Sequence, residues 1–113
     1  MKRTIDLRPA SYFVLAALLD GPLHGYAISA RARELSDDGV RLTAGTLYGA
    51  LERMAAQGLV QLDREETVDG RLRRYYRLSD QGRQTVLREA DRLAAAARVV
   101  RRPRPSVAPR SAG

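Results

Sequence analysis

A chain of 113 residues, 44% hydrophobic but only 5% aromatic, has room for one small domain with a largely aliphatic core. The absence of cysteine excludes disulfides and thiolate metal sites, and a single histidine leaves no ligand set for zinc and no partner for general-base chemistry. With 20 Lys and Arg against 13 Asp and Glu, the net charge of +7 suits a polyanionic partner, and Lys2 is the one lysine among the arginines.

Read in chain order, no apolar run approaches the roughly 20 residues that span a bilayer. Met1 to Leu7 has no signal-peptide core, so a soluble, cytoplasmic protein is expected. Pro9 fits the first turn of a helix, followed at helical spacing by Phe13, Val14, Leu15, Leu18 and Leu19 and closed by Gly21-Pro22. A second helix is predicted from about Gly25 to Ser36, with Ile28, Ala32 and Leu35 inward. Asp37-Asp38-Gly39 reads as a stop and turn.

The third predicted helix lies within "LTAGTLYGALERMAAQGLV", with Thr43 as N-cap, Leu47, Leu51 and Met54 as its apolar stripe, and Gly58 ending it. Gly45 and Gly49 cost it about 1 kcal/mol each relative to Ala. Two readings account for that cost. The glycines make room for close approach to a DNA groove, with Thr43, Thr46 and Tyr48 offering hydroxyls to phosphate, or Gly45 makes room for a neighbouring helix and Tyr48 is half-buried.

The period then changes from 3.6 to 2. Val60 and Leu62 alternate with Gln61 and Asp63, Tyr76 and Leu78 close a matching run, and Asp69-Gly70 between them signals a tight hairpin turn. Alternation puts Arg73, Tyr75 and Arg77 on one face and Tyr76 and Leu78 on the core face. Arg71, Arg73 and Arg74 cluster at or near the tip, either as a wing that touches DNA backbone or as an ordinary solvated face. Glu65 and Glu66 point to opposite faces and cannot act as a carboxylate pair.

A fourth helix is predicted from a Ser79 or Asp80 cap to about Val100. Val86, Leu87, Ala90, Leu93, Ala94, Ala97 and Val100 make an apolar face longer than a minimal domain covers, which suggests a second copy packed against it, the alternative being a helix folded back on its own domain. On that reading, removing the chain from Arg83 onward gives a monomer with weakened DNA affinity. The Arg-, Pro- and Ser-rich end is expected to be disordered. The fold class is therefore mainly α with a small antiparallel β-hairpin: a winged helix-turn-helix over residues 1–80, a dimerisation helix over 81–102 and a tail over 103–113.

Three stretches, "VLAALLDGPLHGYAI", "GTLYGALERMAAQGLV" and "GRLRRYYRLSDQG", make the sequence resemble the PadR family of bacterial transcriptional regulators, in family order and spacing across most of Val14 to Gly82. The resemblance implies a winged helix-turn-helix that dimerises through its C-terminal helix and usually represses transcription, in some members under the control of a small molecule. Thr43 stands where the family usually has Ser, Gly45, Thr46, Leu47 and Tyr48 match its motif, and Gly49 replaces a common Pro. Arg71, Arg73 and Arg74 match its basic wing positions. His24 and Tyr26 belong to its "HGY" element, where His24 is expected to cap the second helix, with phosphate contact at that helix N-terminus as the alternative. The candidate DNA contacts are Tyr26, Thr43, Ala44, Gly45, Thr46, Tyr48, Gly49, Arg53, Arg71, Arg73 and Arg74. The expected partners are double-stranded DNA, a second copy and an effector of unread identity, with no cofactor, metal or catalytic residue. A winged-helix module for an acidic protein and a sequence-neutral DNA coat are the alternatives.

Overall fold

Local chemistry sets the ends of each helix. In the computed structural model, which describes residues 7–106, the order is α1 (Pro9–Ala17), β1 (Leu23–His24), α2 (Gly25–Leu35), α3 (Ala44–Ala56), β2 (Val60–Val68), β3 (Arg71–Leu78) and α4 (Asp80–Arg101). Pro9 opens α1, where its missing N–H costs nothing. Between α2 and α3, Asp37 and Asp38 adopt φ of 53° and 65°, a left-handed geometry that Asp tolerates better than most residues. Ser36 closes this turn: its Oγ accepts from the Val40 N–H at 2.9 Å and donates to the Arg33 carbonyl at 3.2 Å. Arg33 bonds the Asp38 carboxylate at 2.6 Å and so holds that carboxyl below its ordinary pKa.

Thr43 caps α3 by accepting from the Thr46 N–H at 3.2 Å. The other end is a Schellman motif: Gly58 takes φ +77°, its N–H bonds the Ala55 carbonyl, and the Leu59 N–H bonds that of Met54 at 2.8 Å. Asp69 (φ 51°) and Gly70 (φ 76°) join β2 to β3 in the type I′ geometry that matches strand twist. One irregularity interrupts the ladder between Leu62 and Arg64.

The sheet has three strands, not the two predicted. β1 pairs antiparallel with β3, Leu23 opposite Tyr76 and His24 opposite Tyr75, giving the order β1-β3-β2. A two-residue strand is too short to show a period in the sequence.

Val14, Leu15, Leu18, Ile28, Leu47, Leu51, Met54, Leu59 and Val60 form the buried core where the three helices meet the base of the hairpin. One inward assignment is corrected. Leu35 is 40% exposed, because α2 ends there and the chain departs into the Asp37–Asp38 turn. Leu62 is about half exposed, since it pairs with Tyr76 just before the strand irregularity and lies beyond the core.

Ser79 links three elements. Its N–H bonds the Leu59 carbonyl, its Oγ accepts from the Gly82 N–H at 2.9 Å and donates to the Gly58 carbonyl. The start of α4 is thereby tied to the end of α3. Val86 lies in the chain's own core at 2% exposure, which removes it from any outward dimer face. From Asp91 on, α4 is exposed throughout. The expected disordered tail falls partly on residues 107–113, outside the described residues; residues 103–106 carry no helix or strand.

Candidate nucleic-acid interface

The outer side of α3 is open space. Among the described residues, a Cβ built on Gly45 would meet no atom within 4 Å, and one on Gly49 would meet only the Arg53 guanidinium at 3.6 Å. The packing explanation for Gly45 therefore fails: none of the described helices lies there. Both glycines leave a smooth strip of backbone one turn apart, beside the exposed Ala44 and Thr46.

Hydroxyls flank that strip. Thr43 Oγ1 donates to Thr46 Oγ1 at 2.9 Å while accepting from the Thr46 N–H, so the Thr46 hydroxyl keeps its own proton for an outside acceptor. Tyr48 is 48% exposed and leans across to α2, where a Cβ on Gly25 would fall 2.6 Å from its hydroxyl oxygen. Gly25 is the clearance that lets the Tyr48 ring lie against the start of α2. Its importance was visible only as one letter of "HGY". Tyr26, next along, is 81% exposed.

His24 occupies the N-cap position of α2 but makes no side-chain cap bond, which corrects the expected capping role. Its ring lies 5.4 Å from that of Tyr75, paired opposite it in the sheet. Partial burial, aided by the nearby Arg73 charge, lowers its pKa below the ordinary imidazole value. Arg64, absent from the predicted site, covers the same Tyr75 ring with its guanidinium 4.0 Å from the centroid. Its charge is engaged by Asp63 at 3.0 Å and Glu66 at 2.8 Å, which raises its pKa and lowers that of Glu66.

The three predicted wing arginines do not share a face. Arg71 and Arg73 lie on the side of Tyr75, whereas Arg74, opposite Glu65, lies on the other and pairs with that carboxylate at 3.3 Å. Arg71 and Arg73 are exposed and form no ion pair among the described residues. Arg77, on their side but nearer the base, bonds Gln61 at 3.0 Å.

Among the described residues, no cluster of His, Asp or Glu could hold a metal, and no helix is long and apolar enough to cross a membrane. The model of the PadR-like transcriptional regulator family matches residues 14–88. Over 87 residues the chain is 37% identical to the transcriptional regulator Rv3488 of Mycobacterium tuberculosis, covering 77% of this chain and 78% of that one. It is 47% identical over 85 residues, 75% of its length, to a 37.1 kDa protein in transposon Tn4556 of Streptomyces fradiae, of which it spans 23%. Bacillus subtilis PadR, solved in complex with operator DNA, superposes with a TM-score of 0.63 over 89% of this chain and 52% of that one. At 22% identity that likeness is one of fold.

Proposed function

The chain belongs to the PadR-like family of transcriptional regulators, and on that premise we propose that it is a dimeric, sequence-specific DNA-binding regulator that acts as a repressor. The observation that carries the reading is the bare Gly45–Gly49 strip on a capped α3, flanked by the wing cations Arg71 and Arg73. A helix stripped of side chains gains nothing from water. It gains closer approach to a groove, where its N-terminal N–H groups and partial positive charge favour phosphate. That Bacillus subtilis PadR was solved on operator DNA supports the same use of the shared fold.

In this mechanism α3 enters the major groove, with Thr46 and Tyr48 donating to backbone phosphates. Arg71 and Arg73 meet flanking phosphates from the wing, while Arg74 is held back by Glu65. Dimerisation through α4 sets two half-sites about one helical turn, roughly 34–36 Å, apart on a pseudo-palindromic operator. Repression follows from occupancy of the promoter, and a small molecule that shifts the two reading heads relieves it.

The test is binding to the DNA upstream of its own gene, against random duplex, at two salt concentrations. A strong preference for the upstream DNA with a steep salt slope is expected. Salt-sensitive binding without preference would favour a sequence-neutral coat. No binding at either salt would favour an acidic protein as the partner of the basic face.

A further inference from the structure

We infer that Arg53 is the base-reading residue of α3 and that it selects a guanine, an assignment that rests on the DNA-binding reading above. Gly45, Gly49 and Arg53 follow one another four residues apart, so they form one slowly turning row along the exposed side of the helix. The Arg53 side chain runs back along that row, as helical side chains do, and its Nη1 lies 3.6 Å from where a Gly49 Cβ would stand. The guanidinium therefore rests over the bare strip that the groove would receive. A side chain longer than alanine at position 49 would take its place.

No described residue competes for it. Arg53 has no carboxylate partner among the described residues. It lines a cleft with Leu7, Ser11, Met54 and Gln57, where the other charged group is the cation Arg8. A free planar fork of donors, positioned over an otherwise empty helix face, matches the N7 and O6 acceptors that guanine presents in the major groove. The neighbouring residue, Glu52, is exposed and anionic and offsets part of the positive charge of Arg53 and Arg8. What favours a base edge over the flanking backbone is the place of the fork, over the bare strip that would face the groove floor.

The experiment selects preferred duplexes from a random library with the full chain, then repeats the selection with Arg53→Ala and Arg53→Lys. The wild type is expected to require one guanine in each half-site. Replacing that guanine by 7-deazaguanine should weaken wild-type binding about 10- to 100-fold and leave Arg53→Ala unaffected. Arg53→Lys keeps the charge but loses the fork, so it should weaken the guanine preference while retaining the salt slope. If Arg53→Ala instead weakens all sequences evenly and lowers the salt slope by about one, the residue contacts phosphate and the inference is overturned. A wild-type consensus that neither variant alters overturns it alone, whereas a wild type without any consensus overturns the sequence-specific reading as well.

Discussion

Gly82 has no conformational need to be glycine, since it sits inside the first turn of α4, yet among the described glycines it is the one least open to a side chain. A Cβ there would lie 1.9 Å from the Leu59 carbonyl oxygen, which is backbone and cannot swing aside. Gly82→Ala must push α4 off the end of α3, breaking the Ser79 contacts with Gly58 and Leu59. We expect a loss of about 3 kcal/mol or more, at the upper end of overpacking costs, read as a fall in the urea midpoint. An unchanged midpoint would mean that the close approach of α4 to Leu59 is wrong. The same scale holds a proton. His24 is the one histidine, so its ring signals in a proton NMR titration report it directly. Burial and Arg73 depress its native pKa, so the unfolded chain binds this proton more readily than the folded one. Stability is then full above the ordinary imidazole pKa and declines as pH falls from there toward the lowered native value. Arg73→Ala should move the titration midpoint upward; a midpoint that does not respond would show that the two groups are not coupled.

At the scale of elements, α3 carries a conflict between stability and use. Gly49 lies in the middle of the helix, and an alanine Cβ would make only an ordinary contact with Arg53. Gly49→Ala should therefore stabilise the fold by about 0.5–1 kcal/mol, the usual helix gain. The added methyl would stand in the strip assigned to the groove, so DNA affinity should fall while the melting temperature rises. A rise in both would remove the case for close approach. Much of this was legible in the sequence. Thr43 and Gly58 marked both ends of α3 through capping chemistry, Asp69-Gly70 marked the hairpin through its need for positive φ, and Leu47, Leu51 and Met54 marked the buried stripe. What was hidden depends on contacts between distant segments. β1 is created by its pairing with β3, Gly25 matters because Tyr48 crosses to it, and Arg74 is engaged because β2 brings Glu65 opposite it.

The whole molecule is set by what α4 does after it leaves the core. Its first turns belong to the domain: Val86 is buried, and Arg83 donates to the Leu19 carbonyl on the loop after α1. Cutting before Arg83, as the sequence alone suggested, would remove a core residue and confuse unfolding with loss of assembly. The separable part begins at Asp91, beyond which Leu93 (41% exposed) and Val100 (72%) face outward with Ala94 and Ala97 between them. A helix of that composition gains little from standing alone in water, whereas two such faces packed together would bury their apolar area, at about 25 cal/mol per Å². A chain ending at Ala90 should therefore keep its fold by circular dichroism and sediment as a monomer, while the full chain sediments as a dimer. Its affinity for a two-half-site duplex should drop to that for a single half-site, because the second contact is no longer tethered at high effective concentration. If the dimer neutralises ~6 phosphates, log K should fall against log salt with a slope of roughly −5, and the truncated chain should give about half that slope. A truncated chain that remains a dimer, or that keeps the full slope, would place the interface on the winged domain instead of on α4.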